Sequence, residues 1–285
     1  LKENINKHFW DEKQGCYTCY LYPEYLGYRP TQRVGVMSNG LAAVLDIATT
    51  GQSIQMVENF PLYPYGAAVL YPSIPDDFSY HNKSVWPVWE TPYMYAARDV
   101  KNTKVVEHMI KSLVRAGALF LTHKENMTYD TGYDCGTALN SSRQLWSVAS
   151  YISMVYRVLF GMTMEEEGIT FTPVVPDLVA GKISLENFRY RDAVLNINIT
   201  GKGNTVKKIT VNGQDQKLPY LLPATAQGDY TIDIVMTATH ASDKMNLVQP
   251  GPREDWSPME PVLEQKGQII NCPVESGLRY FLCGT

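Results

Sequence analysis

The chain carries no basic run: 25 Lys and Arg stand against 29 Asp and Glu, a net charge of −4. That balance offers nothing to a nucleic-acid backbone or to an anionic membrane surface. No stretch reaches the roughly 18 to 20 apolar residues that a spanning helix needs. Cysteine is scarce and odd in number, five in all at Cys16, Cys19, Cys135, Cys272 and Cys283, which excludes a disulfide framework. Cys16 and Cys19 have CxxC spacing, but no second Cys or His pair stands at zinc-finger distance. They read as half-buried strand residues, and no metal site is expected. There is no signal peptide, and the chain opens at Leu1 rather than Met. Its start therefore reads as processed or cut, and the compartment is not legible from it.

Tyrosine is abundant. The 285 residues include 19 Tyr and 5 Trp, within a hydrophobic share of 45% that is ordinary for a globular chain. A phenol needs water or a polar partner, so such an excess suits either a tyrosine-rich surface or one that faces carbohydrate.

Hydrophobic periodicity divides the chain. Residues 1–10 read as a helix end, and Cys16–Tyr22 alternates like a strand. Helices are expected near Met37–Thr49, with Ser38 or Asn39 as N-cap, and over Ser53–Glu58. Further helices are expected from about Trp86 to Asp99, over Lys104–Leu121, and over Ser142–Leu159, the last apolar nearly all round and so buried. Beyond Gly161 the period changes from 3.6 to 2, with strands near 169–173, 182–185, 194–199, 208–211 and 230–235. This predicts a β-sandwich module over 166–238 after a helical module over 1–165. Residues 239–285 read as a linker and the start of further β structure.

The most informative stretch runs from Tyr80 to Gly132. Rings (Tyr80, His81, Trp86, Trp89, Tyr129), amides and carboxylates gather there at helix ends. Flat rings stack on the apolar face of a pyranose while amides and carboxylates bond its hydroxyls. The order Tyr80-His81-Asn82-Lys83-Ser84-Val85-Trp86, then Glu125-Asn126 to Thr131-Gly132, then Gln144-Leu145-Trp146-Ser147-Val148-Ala149 resembles the six-hairpin glycosidases. The likeness is nearest to the processing α-glucosidase I family and its bacterial relatives. His81-Asn82-Lys83 stands where that family has Trp-Arg-Gly, Met127 where it has Tyr, and Gln144 where it has Phe.

The resemblance implies an α+β multidomain chain in which residues 1–165 are the second half of an (α/α)6 toroid. It implies an exo-acting, inverting glycoside hydrolase for neutral oligosaccharides, with Glu125 as general base and no metal or organic cofactor. The general acid would lie upstream of Leu1, so the missing first half of the polypeptide is the expected partner, and the chain alone is expected to be poorly soluble or inactive. A periplasmic or extracellular setting is favoured if the protein degrades polysaccharide.

Glu90 and Asp134 are alternative bases. Arg33, Asn39, Tyr80, His81, Asn82, Trp86, Trp89 and Tyr129 are the candidate substrate contacts. Two other classes stay open: a glycoside phosphorylase, which would bind phosphate in place of the activated water, and a non-catalytic carbohydrate-binding or structural module. Asn82, Asn126, Asn140 and Asn198 fit the glycosylation pattern, which matters only in a secretory eukaryotic setting.

Overall fold

The computed structural model describes residues 1–25, 27–74, 79–179, 181–239, 241–250, 264–266 and 269–271. Residues Leu1–Gln249 make one compact unit and Pro250–Thr285 a second.

The first unit opens with α1 (Lys2–Phe9), then a ladder of β1 (Trp10–Asp11) with β2 (Cys16–Tyr17). The hairpin β3 (Leu21–Glu24) and β4 (Gly27–Pro30) keeps its side chains mostly in solvent. β5 (Val34–Gly35) runs straight into α2 (Val36–Val44). α3 (Thr50–Asn59) starts on a reciprocal cap: the Thr49 hydroxyl accepts from the Gln52 N–H, and the Gln52 carbonyl accepts from the Thr49 N–H. β6 (Leu70–Tyr71) pairs back on β5, and β7 (Ser84–Val85) leads into α4 (Pro87–Asp99). Pro87 is the first residue of α4, where a missing N–H leaves no intrahelical bond unmade. The Asn102 side chain caps α5 (Thr103–Phe120) by accepting from the Val105 N–H at 3.0 Å. β8 (Met127–Thr128) and α6 (Leu145–Ser153) complete this part, and α6 runs on as a π-helical turn over Met154–Leu159.

α4 is the hub, with α2, α3, α5 and α6 all packed against it. Its approach to α2 is backbone to backbone: a Cβ on Gly40 would stand 2.3 Å from the Tyr93 nitrogen. Met56, Phe60, Tyr93, Met94, Met109, Ile110 and Leu113 fill the space between the helices.

The expected half-toroid is not formed. The described residues hold six α-helices of 8 to 18 residues, and helix accounts for 31% of the structure. α2, α3, α5 and α6 gather around α4 instead of following one another as hairpins in a ring, and two-residue ladders occupy runs between the helices. Apolar spacing shows that a helix has one buried face; it does not show how many neighbours share it.

α6 also departs from expectation. Leu145, Trp146 and Ile152 are exposed, and the residues it buries are Ser147 and Ser150. Small side chains let α6 sit close on α4, and the bulky ones turn outward. Asn39, expected as a cap, lies inside α2.

Beyond Gly161 the strands come where the alternation places them, in a different assembly. β9 (Met162–Met164), β10 (Gly168–Phe171) and β15 (Leu221–Pro223) form one sheet in the order β15-β10-β9. β11 (Gly181–Tyr190), β12 (Asp192–Gly201), β13 (Thr205–Val211), β14 (Gln214–Asp215) and β16 (Gln227–Thr237) form the other. Its order is β11-β12-β16-β13-β14, and β12 and β16 run parallel over nine paired residues, Asp192↔Gln227 to Thr200↔Val235. Ala193, Leu195, Ile197 and Ile199 of β12 and Ile232, Ile234 and Met236 of β16 alternate into the core. The chain is thus mixed α/β, with many short ladders and one five-stranded mixed sheet, in place of a toroid followed by a plain sandwich. In the second unit the described residues form an antiparallel pair, β17 (Glu264–Lys266) with β18 (Ile269–Asn271). The rest of the expected carboxy-terminal β structure lies outside the described residues.

Candidate functional site

A two-residue ladder assembles the site. β7 pairs with β8 in the register Ser84↔Thr128 and Val85↔Met127. Trp86 follows β7, and Glu125 and Asn126 precede β8, so the ladder sets the tryptophan beside the carboxylate across 39 residues of chain. A second set of bonds folds the end of the same loop back. Glu125 N–H donates to the Ser141 carbonyl at 2.9 Å, and Gln144 N–H donates to the His123 carbonyl at 2.9 Å. Asn140 Nδ2 donates to the Asn126 carbonyl at 2.7 Å, and Ala138 N–H to the Ser79 carbonyl at 2.7 Å. These bonds bring the start of α6, with Trp146, to the same place.

Glu125 is 8% exposed. Its Oε1 accepts from the Tyr80 hydroxyl at 2.9 Å, and its Oε2 accepts from the Ser141 N–H at 2.8 Å. The hydrogen bond to Glu125 raises the Tyr80 phenol above its ordinary value of 10.0, because losing the proton would break that bond. A carboxylate offers about four acceptor positions. The chain fills one on each oxygen.

A cluster of rings is joined to this carboxylate through Tyr80. Tyr80 lies edge-on to Trp86 with centroids 5.0 Å apart, and His81 stands 4.9 Å from Trp86 and stacks on Trp89 at 5.5 Å. Trp146 meets Trp86 edge-on at 5.8 Å. Trp86 is buried, and its indole N–H reaches the Tyr80 carbonyl at 2.8 Å and Ser84 Oγ at 2.9 Å. It therefore serves as the post on which the exposed rings of His81 and Trp146 are mounted.

Other residues singled out from the sequence stand apart from this cluster. Glu90 is 1% exposed, and its oxygens take the Ala67 N–H at 2.6 Å and the Ser112 hydroxyl at 3.0 Å. Burial pushes its carboxyl up to about 8, against the two hydrogen bonds, which pull it down. Asp134 is ion-paired with Lys124 at 2.7 Å. The Asn82 amide is buried and clasps Ile74, donating to its carbonyl at 2.8 Å and accepting from its N–H at 2.9 Å. Asn39 does the same for Tyr17, at 2.9 and 2.7 Å. Arg33 stands by Cys19 and Tyr20. The Tyr129 ring packs edge-on against Tyr63 at 4.5 Å, beside Val85, Ala116 and Met127. Of the four Asn in glycosylation patterns, Asn82 and Asn126 are buried, with their amides bonded internally.

Sequence reasoning missed Ser141, whose backbone N–H holds the second carboxylate oxygen. The local signal was slight: an Asn-Ser-Ser run 15 residues past Glu125. No family model matches the chain, and no curated protein matches it.

Proposed function

We propose that the protein is a glycoside hydrolase that acts on neutral oligosaccharides, with Glu125 as the general base. The observation that carries this reading is the seating of Glu125. A carboxylate is fixed by Tyr80 and Ser141, and the Tyr80 ring belongs to a cluster with His81, Trp86, Trp89 and Trp146. Rings of that kind stack on a sugar, and a carboxylate so held can draw a proton from water while the sugar is bound. The motif order that resembles the six-hairpin glycosidases assigns the same residue the same role. The reading rests on this site and not on a shared fold.

In an inverting reaction Glu125 removes a proton from water as it attacks the anomeric carbon, and a second carboxyl about 6.5–9.5 Å away protonates the leaving oxygen. Neither Glu90, enclosed by Ala67 and Ser112, nor Asp134, paired to Lys124, is free to be that acid. The same observation favours a second reading, in which the ring cluster binds saccharide without turning it over.

The test is release of reducing sugar from a panel of neutral oligosaccharides, with and without added phosphate, by a polypeptide that also carries the acid and by its Glu125→Gln variant. Hydrolysis independent of phosphate and lost in Glu125→Gln supports the proposal. Phosphate-dependent cleavage would assign a phosphorylase. Binding without cleavage would assign the non-catalytic module.

A further inference from the structure

An open cavity of about 880 Å³ lies between the first turns of α1 and α3, and it shares no residue with the Glu125 site. Its one aromatic wall is Trp10, a half-buried ring set edge-on to Tyr17 with centroids 5.0 Å apart. The rest is polar. Asn6 is held rigidly, donating to the Ile47 carbonyl at 2.8 Å and accepting from the Tyr17 hydroxyl at 2.7 Å. Gln52 uses its carbonyl in the α3 cap and lines the cavity, as does Gln55 one turn further along the helix. The charges are Lys2 against Glu3 and Glu12.

We infer that this cavity is a second binding site, for a neutral saccharide of one to three rings. A single ring face with amides and acceptors around it matches a pyranose, which has one apolar face and a rim of hydroxyls. An anionic ligand would meet two carboxylates against one ammonium. The volume lies within the 300–1,000 Å³ or so of ligand sites generally. The inference does not depend on the glycosidase reading, because the residues are different.

Gly51 supplies the test. It lines the cavity from the first turn of α3, and a Cβ placed on it would meet nothing within 4 Å. Gly51→Leu therefore adds an apolar side chain at a cavity-lining helical position where the new Cβ meets no neighbour. The protein is labelled with 5-fluorotryptophan, and Trp10→Phe identifies the Trp10 resonance among the five tryptophans. Cellotriose, maltotriose and trigalacturonate are then titrated by ¹⁹F NMR. The expected result is a shift of the Trp10 resonance with a neutral trisaccharide, weakened at least tenfold in Gly51→Leu and absent with trigalacturonate.

If only the Trp86, Trp89 or Trp146 resonances move, the second site is refuted while the Glu125 site stands. An unchanged Trp10 response in Gly51→Leu, or a stronger one to trigalacturonate, also refutes it.

Discussion

Glu90→Gln should alter the pH dependence of stability. The Glu90 carboxyl is buried between the loop at Ala67 and Ser112 of α5, and desolvation lifts it from the 4.5 of a free carboxyl to about 8. The folded chain then holds a proton that the unfolded chain has already lost. The resulting stabilisation is full below about pH 4.5 and is lost as pH rises through about 8. At ~1.4 kcal/mol for each pH unit, that interval is worth up to about 5 kcal/mol, a large part of the roughly 5–15 kcal/mol of a folded chain. Gln copies the protonated carboxyl. Its carbonyl can accept from Ala67, and its amide can donate to Ser112 Oγ while the Ser112 hydroxyl donates to the Tyr65 carbonyl, 2.9 Å away. Urea unfolding of both proteins from pH 5 to 8.5 reads the difference, because every other titrating group cancels. Near pH 5 the two should agree within about 1 kcal/mol. By pH 8.5 the Gln variant should be the more stable by several kcal/mol. Parallel profiles over the whole range would refute the buried, proton-retaining carboxyl.

Three further outcomes follow from the packing. Tyr80→Phe removes the 2.9 Å bond to Glu125, and a bond to a charged group is worth about 1.5–3 kcal/mol; kcat/KM should fall about 10- to 100-fold with an unchanged circular dichroism spectrum. Gly40→Ala forces a methyl against the Tyr93 backbone and should cost about 1–3 kcal/mol, read as a lower urea midpoint. Asn82→Ala releases both bonds to Ile74 and should cost about 1–3 kcal/mol and speed proteolysis before Tyr80, where a glycan-acceptor role would leave the bare protein unaffected.

Much of the local structure was legible in the sequence. The spans of α4 and α5 follow from apolar spacing, and the strands after Gly161 from strict alternation. Their assembly was not legible. The parallel pairing of β12 with β16 joins strands whose alternation serves either direction equally well. The β7–β8 ladder that builds the site is two residues long on each side, too short for any periodicity to register. The exposed face of α6 misled because apolar content alone does not say which side is covered, and here the serines are inside. At the site, Tyr80, Trp86 and Glu125 could be singled out as ring and carboxylate side chains at helix ends. The ring of Tyr129 and the amides of Asn39 and Asn82 were equally suited to a sugar site yet are spent on packing and internal bonds, which only three-dimensional placement reveals.

The most direct test of the central claim is anomer-resolved NMR of the sugar released from a neutral oligosaccharide by a polypeptide that also carries the acid, with Glu125→Gln run alongside. The account predicts a first-formed product of inverted anomeric configuration, turnover reduced at least 10²-fold in Glu125→Gln, and saccharide affinity largely kept. Undiminished turnover by Glu125→Gln, or a product of retained configuration, would contradict it.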